Sequence, residues 1–305
     1  MSRTTRYRSR FHAALRAVAQ RGILKSLAWS SLKVDIAGEE NLTGLAGPYV
    51  VVSNHTSHID ATLIVCGIPL DVGRYLATGV AADYFFTKWH RKLFVALAFN
   101  AFPIERGSKR RGRSVAAQLL SEGTPILLFP EASRSRTGRM TRFTPGAAGL
   151  SVKYGAPVVP VTVIGAFQAM PVGRSWPKPG RPPVRLVFGK PMEAEPGETP
   201  VQFTERISAH ITDTFDAHAV EMGLPTQAEL PVATRGGSPS PGLPGDDAGT
   251  AGVASGTQHD NDQGSTGQGS DDRDSTSQAR TSQDSTSQDS TDGDPRDPHQ
   301  GKDER

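Results

Sequence analysis

Residues 48–68 read PYVVVSNHTSHIDATLIVCGI, and this stretch decides the fold. The β-branched run after Pro48 and Tyr49 has the pattern of a strand buried on both faces, and Ser53 and Asn54 close it with a helix N-cap signal. DATLIVCGI (60–68) then reads as a helix. Working outward, the same alternation repeats. GRYLAT (73–78) reads as a second strand, DYFFTKWHRKLFVALAFNAF (83–102) as a long aromatic helix carrying Lys88, Arg91 and Lys92, and FPIERG (102–107) as a short strand and turn. RGRSVAAQLLSEG (111–123) reads as an amphipathic helix closed by Gly123, and PILLFPE (125–131) as a buried strand. GAAGLSVKYG (146–155) reads as a helix closed by Gly155. APVVPVTVIG (156–165) and PPVRLVFGKPM (182–192) read as strands, and PVQFTERISAHITDTFDAHAVEM (200–222) as a last helix. Strands alternating with helices of this length predict an α/β fold, a mostly parallel or mixed sheet flanked by helices.

Composition divides the chain. From Ala233 to Arg305 there is no aromatic residue, and DSTSQ occurs at 274–278 and again at 284–288. Such a segment buries too little apolar surface to offset its ordering entropy and is expected to be disordered. Of the 34 basic and 31 acidic residues, 6 and 14 lie beyond residue 232, so a tail of net charge −8 follows a body of +11. A basic body suits an anionic partner, and no zinc-finger or RNA-binding pattern points to nucleic acid. Residues 10–32 place Phe11, Leu15, Val18 and Gly22 on one helical stripe among basic residues, with Ile23, Leu24 and Leu27 nearby. That profile fits a helix lying on a membrane surface and equally one packed on the domain. The expected organisation is a basic amphipathic helical segment over 1–34, a domain over 35–232 and an acidic tail over 233–305. The N-terminus lacks the apolar core of a signal peptide, and no run reaches the length of a spanning helix. A position on the cytoplasmic face of the cell membrane, peripheral or monotopic, is expected. The single cysteine, Cys66, excludes an intrachain disulfide and reads as a buried structural thiol.

Four polar segments follow strands, and ligands of open α/β sheets collect at the carboxyl ends of strands. In SNHTSHID (53–60) the spacing fails the His-x-His-x-Asp-His pattern of a metallo-hydrolase, and no second ligand cluster or thiolate set supports a metal. An acid–base reading fits better: His55 takes a proton and Asp60 holds its other nitrogen. On a continuous helix five residues lie about 140° apart, so contact requires His55 in the loop and Asp60 in the first turn. FPEASRSRTG (129–138) places Ser133 and Arg134 where hydroxyl and guanidinium groups donate well to a phosphate, and Arg106 beside Gly107 can point toward the same crevice. No Gly-x-Ser-x-Gly elbow and no Walker loop occurs. A base without a protein nucleophile suits a hydroxyl carried by a phosphorylated substrate.

These motifs resemble the glycerolipid acyltransferases of the 1-acylglycerol-3-phosphate acyltransferase type. NHTSHID matches the family's Asn-His-(x)4-Asp block at Asn54, His55 and Asp60. FPIERG resembles the second block, with Arg106 and Gly107 aligned, and FPEASRS the third, with Pro130, Glu131, Ser133 and Arg134. APVVPVTVIG resembles the fourth, around Val159 and Pro160. The blocks fall in the family order over roughly 35–215. The resemblance implies His55 and Asp60 as catalytic pair, Arg106, Ser133 and Arg134 on the acceptor phosphate, and Asn54, Gly107, Pro130 and Glu131 as loop organisers. It further implies acyl-CoA or acyl carrier protein as co-substrate, no metal or other cofactor, and lysophosphatidic acid acylated to phosphatidic acid at an anionic membrane surface. Glycerol 3-phosphate, another lysophospholipid or a lyso-aminolipid is the alternative acceptor, and a catalytically silent lipid-binding protein the alternative from another class. Ala132 stands where the family has Gly and tolerates positive φ less well, so a different turn is expected there.

Overall fold

A run of valines bonded on both sides has to lie inside a sheet, and the computed structural model places it at the centre of one. The structure describes residues 5–81, 94, 96–104 and 114–232. The expected tail 233–305 and most of the expected aromatic helix 83–102 lie outside these residues. Strand β1 is Lys33–Ala37, β2 Val50–Ser53, β3 Ala77–Ala81, β4 Phe102–Ile104, β5 Ile126–Leu128, β6 Val158–Ile164 and β7 Pro183–Phe188. They form one seven-stranded sheet in the order β1-β7-β6-β2-β5-β3-β4. Every neighbouring pair is parallel except β6 with β7, so the sheet is mixed. Strand β2 is buried along its whole length and pairs with β5 through Val50–Ile126 and with β6 through Val50–Val158.

Alternation along β2 divides the core in two. Val51 faces a cluster with Leu63, Ile64, Cys66 and Phe188. Val50 and Val52 face the other side, with Ile126, Phe143, Phe203 and Ile211. Helices cover both layers. On the first side lie α1 (Arg10–Val18), a π-helical turn over Ala19–Leu24, α2 (Lys25–Ser31) and α3 (Asp60–Gly67), followed by the single turn α4 (Leu70–Gly73). On the second lie α5 (Val115–Ser121), α6 (Gly146–Tyr154) and α8 (Pro200–Glu221); the short α7 (Ala166–Ala169) follows β6. Helix ends follow the sequence. Ser114 caps α5 through its hydroxyl, Thr199 and Gln202 form a reciprocal capping box on α8, and Gly155 closes α6 in the left-handed region at φ 58°.

Two readings change, and the direction of the N-terminal stripe, left open by its period, becomes visible. The second strand is not 73–78: Gly73 closes the turn of α4 by donating to the Pro69 carbonyl, and β3 begins at Ala77, which donates to Pro125. Strand β1 has no counterpart in the sequence reading, because KVDIA is a short edge strand with exposed Lys33 and Asp35. The N-terminal stripe faces outward. Phe11 is 75% exposed and Val18 67%, with Leu15, Ile23 and Leu27 also exposed, while Ala13, Arg16, Gln20 and Ala28 are buried against the body.

That outward orientation has a physical cause in the carbonyls beneath. Arg21 donates to the Cys66 carbonyl and also to that of Ile68, at the end of α3. Gln20 donates to Ala98 at 2.7 Å and Arg16 to Arg74 at 3.1 Å. Burial pushes the Arg16 guanidinium down to about 10, which leaves it charged at neutral pH. Cys66 is buried, donates to the Gln20 carbonyl and is pushed up to about 11 by desolvation, so it is an unreactive thiol. Among the described residues no helix is long and apolar enough to cross a membrane.

Candidate active site

Strands β6, β2 and β5 are adjacent and parallel, so the loops that leave their carboxyl ends emerge side by side. The loop after β2 is anchored first. The Asn54 side-chain amide donates to the Val163 carbonyl at 2.9 Å and accepts from the Val163 N–H at 2.8 Å, and so extends the β2–β6 ladder by one side chain. Ser57 ties the same loop to the Met170 carbonyl at 2.7 Å. Helix α3 begins only at Asp60, so residues 54–59 are free to fold back over its first turn.

This fold-back closes the five-residue gap between His55 and Asp60. His55 Nδ1 lies 2.9 Å from Asp60 Oδ2, and the same oxygen accepts the N–H groups of Thr56 at 2.7 Å and Ser57 at 2.8 Å. Asp60 is wholly buried, and its Oδ1 has no hydrogen-bond partner among the described residues. A carboxylate only accepts, so the contact sets the proton on Nδ1 and leaves Nε2 as the acceptor nitrogen. The His55 ring stacks on Phe129, with centroids 4.1 Å apart and planes at 23°. Sequence reasoning missed Phe129. The residue ends the β5 run directly before Pro130, but nothing in its spacing marks it as a ring platform.

The loop after β5 is bound to the first loop through the backbone. Glu131 accepts the His55 N–H at 2.7 Å on one oxygen, and the Thr141 N–H at 2.8 Å and hydroxyl at 3.1 Å on the other. Burial raises the Glu131 pKa, and the donated hydrogen bonds oppose the shift. Ser135 returns a bond from its N–H to the His55 carbonyl at 2.9 Å, and the Pro130 carbonyl accepts from Thr144. Ala132 sits at φ 61° and donates to the Phe129 carbonyl, so the tight turn forms with a Cβ in the left-handed region. The two loops hold this turn in place from both ends.

Ser133 is exposed and Arg134 half-buried at the tip of the same turn. The Arg134 guanidinium is near enough to His58 to act on it: crowding by protein first, then Arg134 and His55, push the imidazole down to about 4 despite the residue's open side. His58 is therefore neutral at physiological pH. It lines a mainly apolar groove of about 280 Å³ with Ile59, Thr62, Leu27, Phe94 and Trp176. Arg106 and Gly107, the remaining expected site residues, lie outside the described residues. No group of three or more His, Cys, Asp or Glu among the described residues is arranged to hold a metal ion.

Residues 33–164, from the first residue of β1 to the last of β6, match the family model described as Acyltransferase. Over that segment the chain is similar to the acyltransferase family. The matched segment contains the loops of His55, Asp60, Glu131 and Arg134. A 1-acyl-sn-glycerol-3-phosphate acyltransferase of Chlamydomonas reinhardtii is 31% identical over 159 residues, 49% of this chain and 44% of that protein. A protein of the same name from Pseudomonas aeruginosa is 26% identical over 216 residues, 68% of this chain and 79% of that one. The chain spans about half the length of the algal and plant relatives it matches. The crystal structure of the 1-acyl-sn-glycerophosphate acyltransferase of Thermotoga maritima superposes with a TM-score of 0.52 at 22% identity, covering 68% of this chain and 86% of that one. At that identity the likeness concerns the fold.

Proposed function

We propose that this chain is an acyltransferase that moves a fatty acyl group from a thioester, acyl-CoA or acyl carrier protein, to the free hydroxyl of lysophosphatidic acid, giving phosphatidic acid. The observation that carries the reading is the 2.9 Å contact between His55 Nδ1 and an Asp60 oxygen already held by two backbone N–H groups. The names of the relatives support the acceptor. His55 Nε2 takes the hydroxyl proton as the oxygen attacks the thioester carbonyl carbon. The C–O bond forms, the C–S bond breaks, and the proton passes from His55 to the departing thiolate. Asp60 fixes the tautomer and balances the charge that His55 acquires. Glu131 has both oxygens occupied and acts as an organiser of the two loops, with Asn54 and Pro130 bracing them from below. Arg134 and Ser133, with Arg106, receive the acceptor phosphate, a role that suits guanidinium and hydroxyl donors. No step calls for a metal.

The acceptor and product are lipids, and the N-terminal helices present Phe11, Leu15, Val18, Ile23 and Leu27 outward. We assign this stripe to an anionic membrane surface, with its apolar side chains below the headgroups.

The test is product formation from lysophosphatidic acid and acyl-CoA or acyl carrier protein on anionic vesicles. Wild type should form phosphatidic acid. His55→Ala and Asp60→Asn should fold with wild-type circular dichroism and turn over about 10²–10⁴-fold more slowly, the usual worth of a positioned acid–base group. Equal product from His55→Ala would sink the proposed chemistry. Product from another acceptor in a side-by-side panel, with none from lysophosphatidic acid, would move the assignment to that acceptor.

A further inference from the structure

The segment after α7 reads PVGRSWPKPGR over 171–181 and has no place in the chemistry above. It is a well-anchored loop. Three prolines restrict its backbone, Lys178 donates its N–H to the Ala169 carbonyl at 2.8 Å, and Arg181 donates to the Trp29 carbonyl at 2.9 Å, near the end of α2. Yet Trp176 is 56% exposed, and Val172 of the same loop is exposed as well. An indole held outward on a fixed loop is an apolar group kept in water with no intramolecular return.

Its neighbours extend the patch. Trp176 and Pro177 line the 280 Å³ groove together with Leu24 and Leu27. Leu27 belongs to the outward stripe of the N-terminal helices, so apolar surface continues from the stripe to the loop. A second cleft, of about 430 Å³, adjoins it on the side of Ser30 and Ser31 and is lined by Arg174, Lys178 and Arg181 together with Trp176.

Charge names the occupant. The first 34 residues contain no Asp or Glu, and between Glu131 and Glu193 there are ten basic residues and no acidic one. The two segments that build this face therefore supply cations alone. A soluble anion would answer the cations and leave the apolar stripe bare. An anionic bilayer answers both, with phosphates at the guanidinium and ammonium groups and the indole at headgroup depth.

We propose that the 171–181 loop is a second membrane-seating element, which sets Trp176 into the headgroup region alongside the helical stripe so that the groove lined by His58 and Ile59 opens toward lipid. The inference rests on the membrane-surface reading given above. Trp29→Phe with Trp89→Phe leaves Trp176 as the only tryptophan of the full chain. On vesicles of phosphatidylglycerol and phosphatidylcholine its emission should shift to the blue and be quenched by lipids brominated near the headgroup. Arg174→Gln with Lys178→Gln should weaken co-sedimentation by about fivefold for each cation removed, while acyl transfer to detergent-dispersed lysophosphatidic acid stays at the wild-type rate. If wild type sediments with vesicles but Trp176 is neither shifted nor quenched, the loop inference is overturned and the membrane reading stands. If wild type does not sediment at all, both fall. Quenching by free coenzyme A with no response to vesicles would make the cleft a soluble-anion site and overturn the proposal.

Discussion

Ala132 carries a backbone conformation that suits glycine. Its φ of 61° costs an L-residue about 1–2 kcal/mol, and the turn persists because Glu131 on one side and Ser135 on the other are bonded to His55. The strain lies in the loop that supports the base. Ala132→Gly should relax it and raise stability by up to about 1 kcal/mol, after the extra unfolded-state entropy of glycine is subtracted. Urea midpoints measure the change; a lower midpoint would show that the turn is not strained. His58 offers a second test. Its imidazole is held near 4, against about 6.5 in an unfolded chain. Between those values the unfolded chain binds a proton that the folded one refuses, so stability rises with pH across that window and falls as acid is added. His58→Gln cannot titrate and should flatten this slope. Identical pH profiles for the two proteins would mean that His58 is not crowded by Arg134, His55 and its surroundings as described.

At the scale of elements, the N-terminal helices are held by polar groups facing inward and leave apolar groups facing outward. Arg21 closes the carbonyl end of α3, and Arg8 donates to the Glu122 carbonyl just beyond α5 at 2.6 Å. Removing a charged donor from buried carbonyls costs about 1–3 kcal/mol, whereas replacing a solvent-facing leucine costs almost nothing. Arg21→Ala should therefore lower the urea midpoint, and Leu15→Glu with Val18→Glu should leave it unchanged while releasing the protein from anionic vesicles. A large stability loss in the second variant would show that the stripe packs on protein. This element also shows where sequence reading ends. Period alone identified the stripe but not its direction, because leucine and phenylalanine have the same spacing whether they meet lipid or core. The strand-loop-helix order of 48–68 was legible from a β-branched run and an apolar helix, but the N-cap reading of Ser53 and Asn54 was not met: Asn54 bonds the Val163 backbone, and α3 starts at Asp60 with no side-chain cap. Strand β1 was not legible, since five residues with Lys33 and Asp35 exposed acquire strand geometry only by pairing with β7. At the site, His55 and Asp60 could be singled out from residue type and position, whereas Glu131 entered as a loop organiser through the family resemblance. The stacking of Phe129 could not be read, as it depends on how β5 lies against β2.

For the whole molecule, the division of charge decides how strongly an anionic surface is felt. The full chain carries +3, but the 73 residues from Ala233 onward contribute −8 and the rest +11. Outside a membrane the two parts differ in sign, and near an anionic leaflet they act in opposition: the body is drawn down and the tail repelled. The opposition is electrostatic and is screened over about 8–10 Å in physiological salt, so it weakens as ionic strength rises. A chain ending at Val232 should keep the helical and sheet content of the body, because both hydrophobic layers and all seven strands lie within it. It should bind phosphatidylglycerol vesicles about tenfold or more tightly than the full chain at low salt, since each uncompensated charge near the surface counts for up to about 1 kcal/mol. The advantage should shrink in high salt and vanish on phosphatidylcholine vesicles. Co-sedimentation of the two chains across a salt series measures it directly. Equal affinities at low salt would show that the tail's charge is not felt at the bilayer, and a truncated chain that fails to fold would make the tail part of the body's stability.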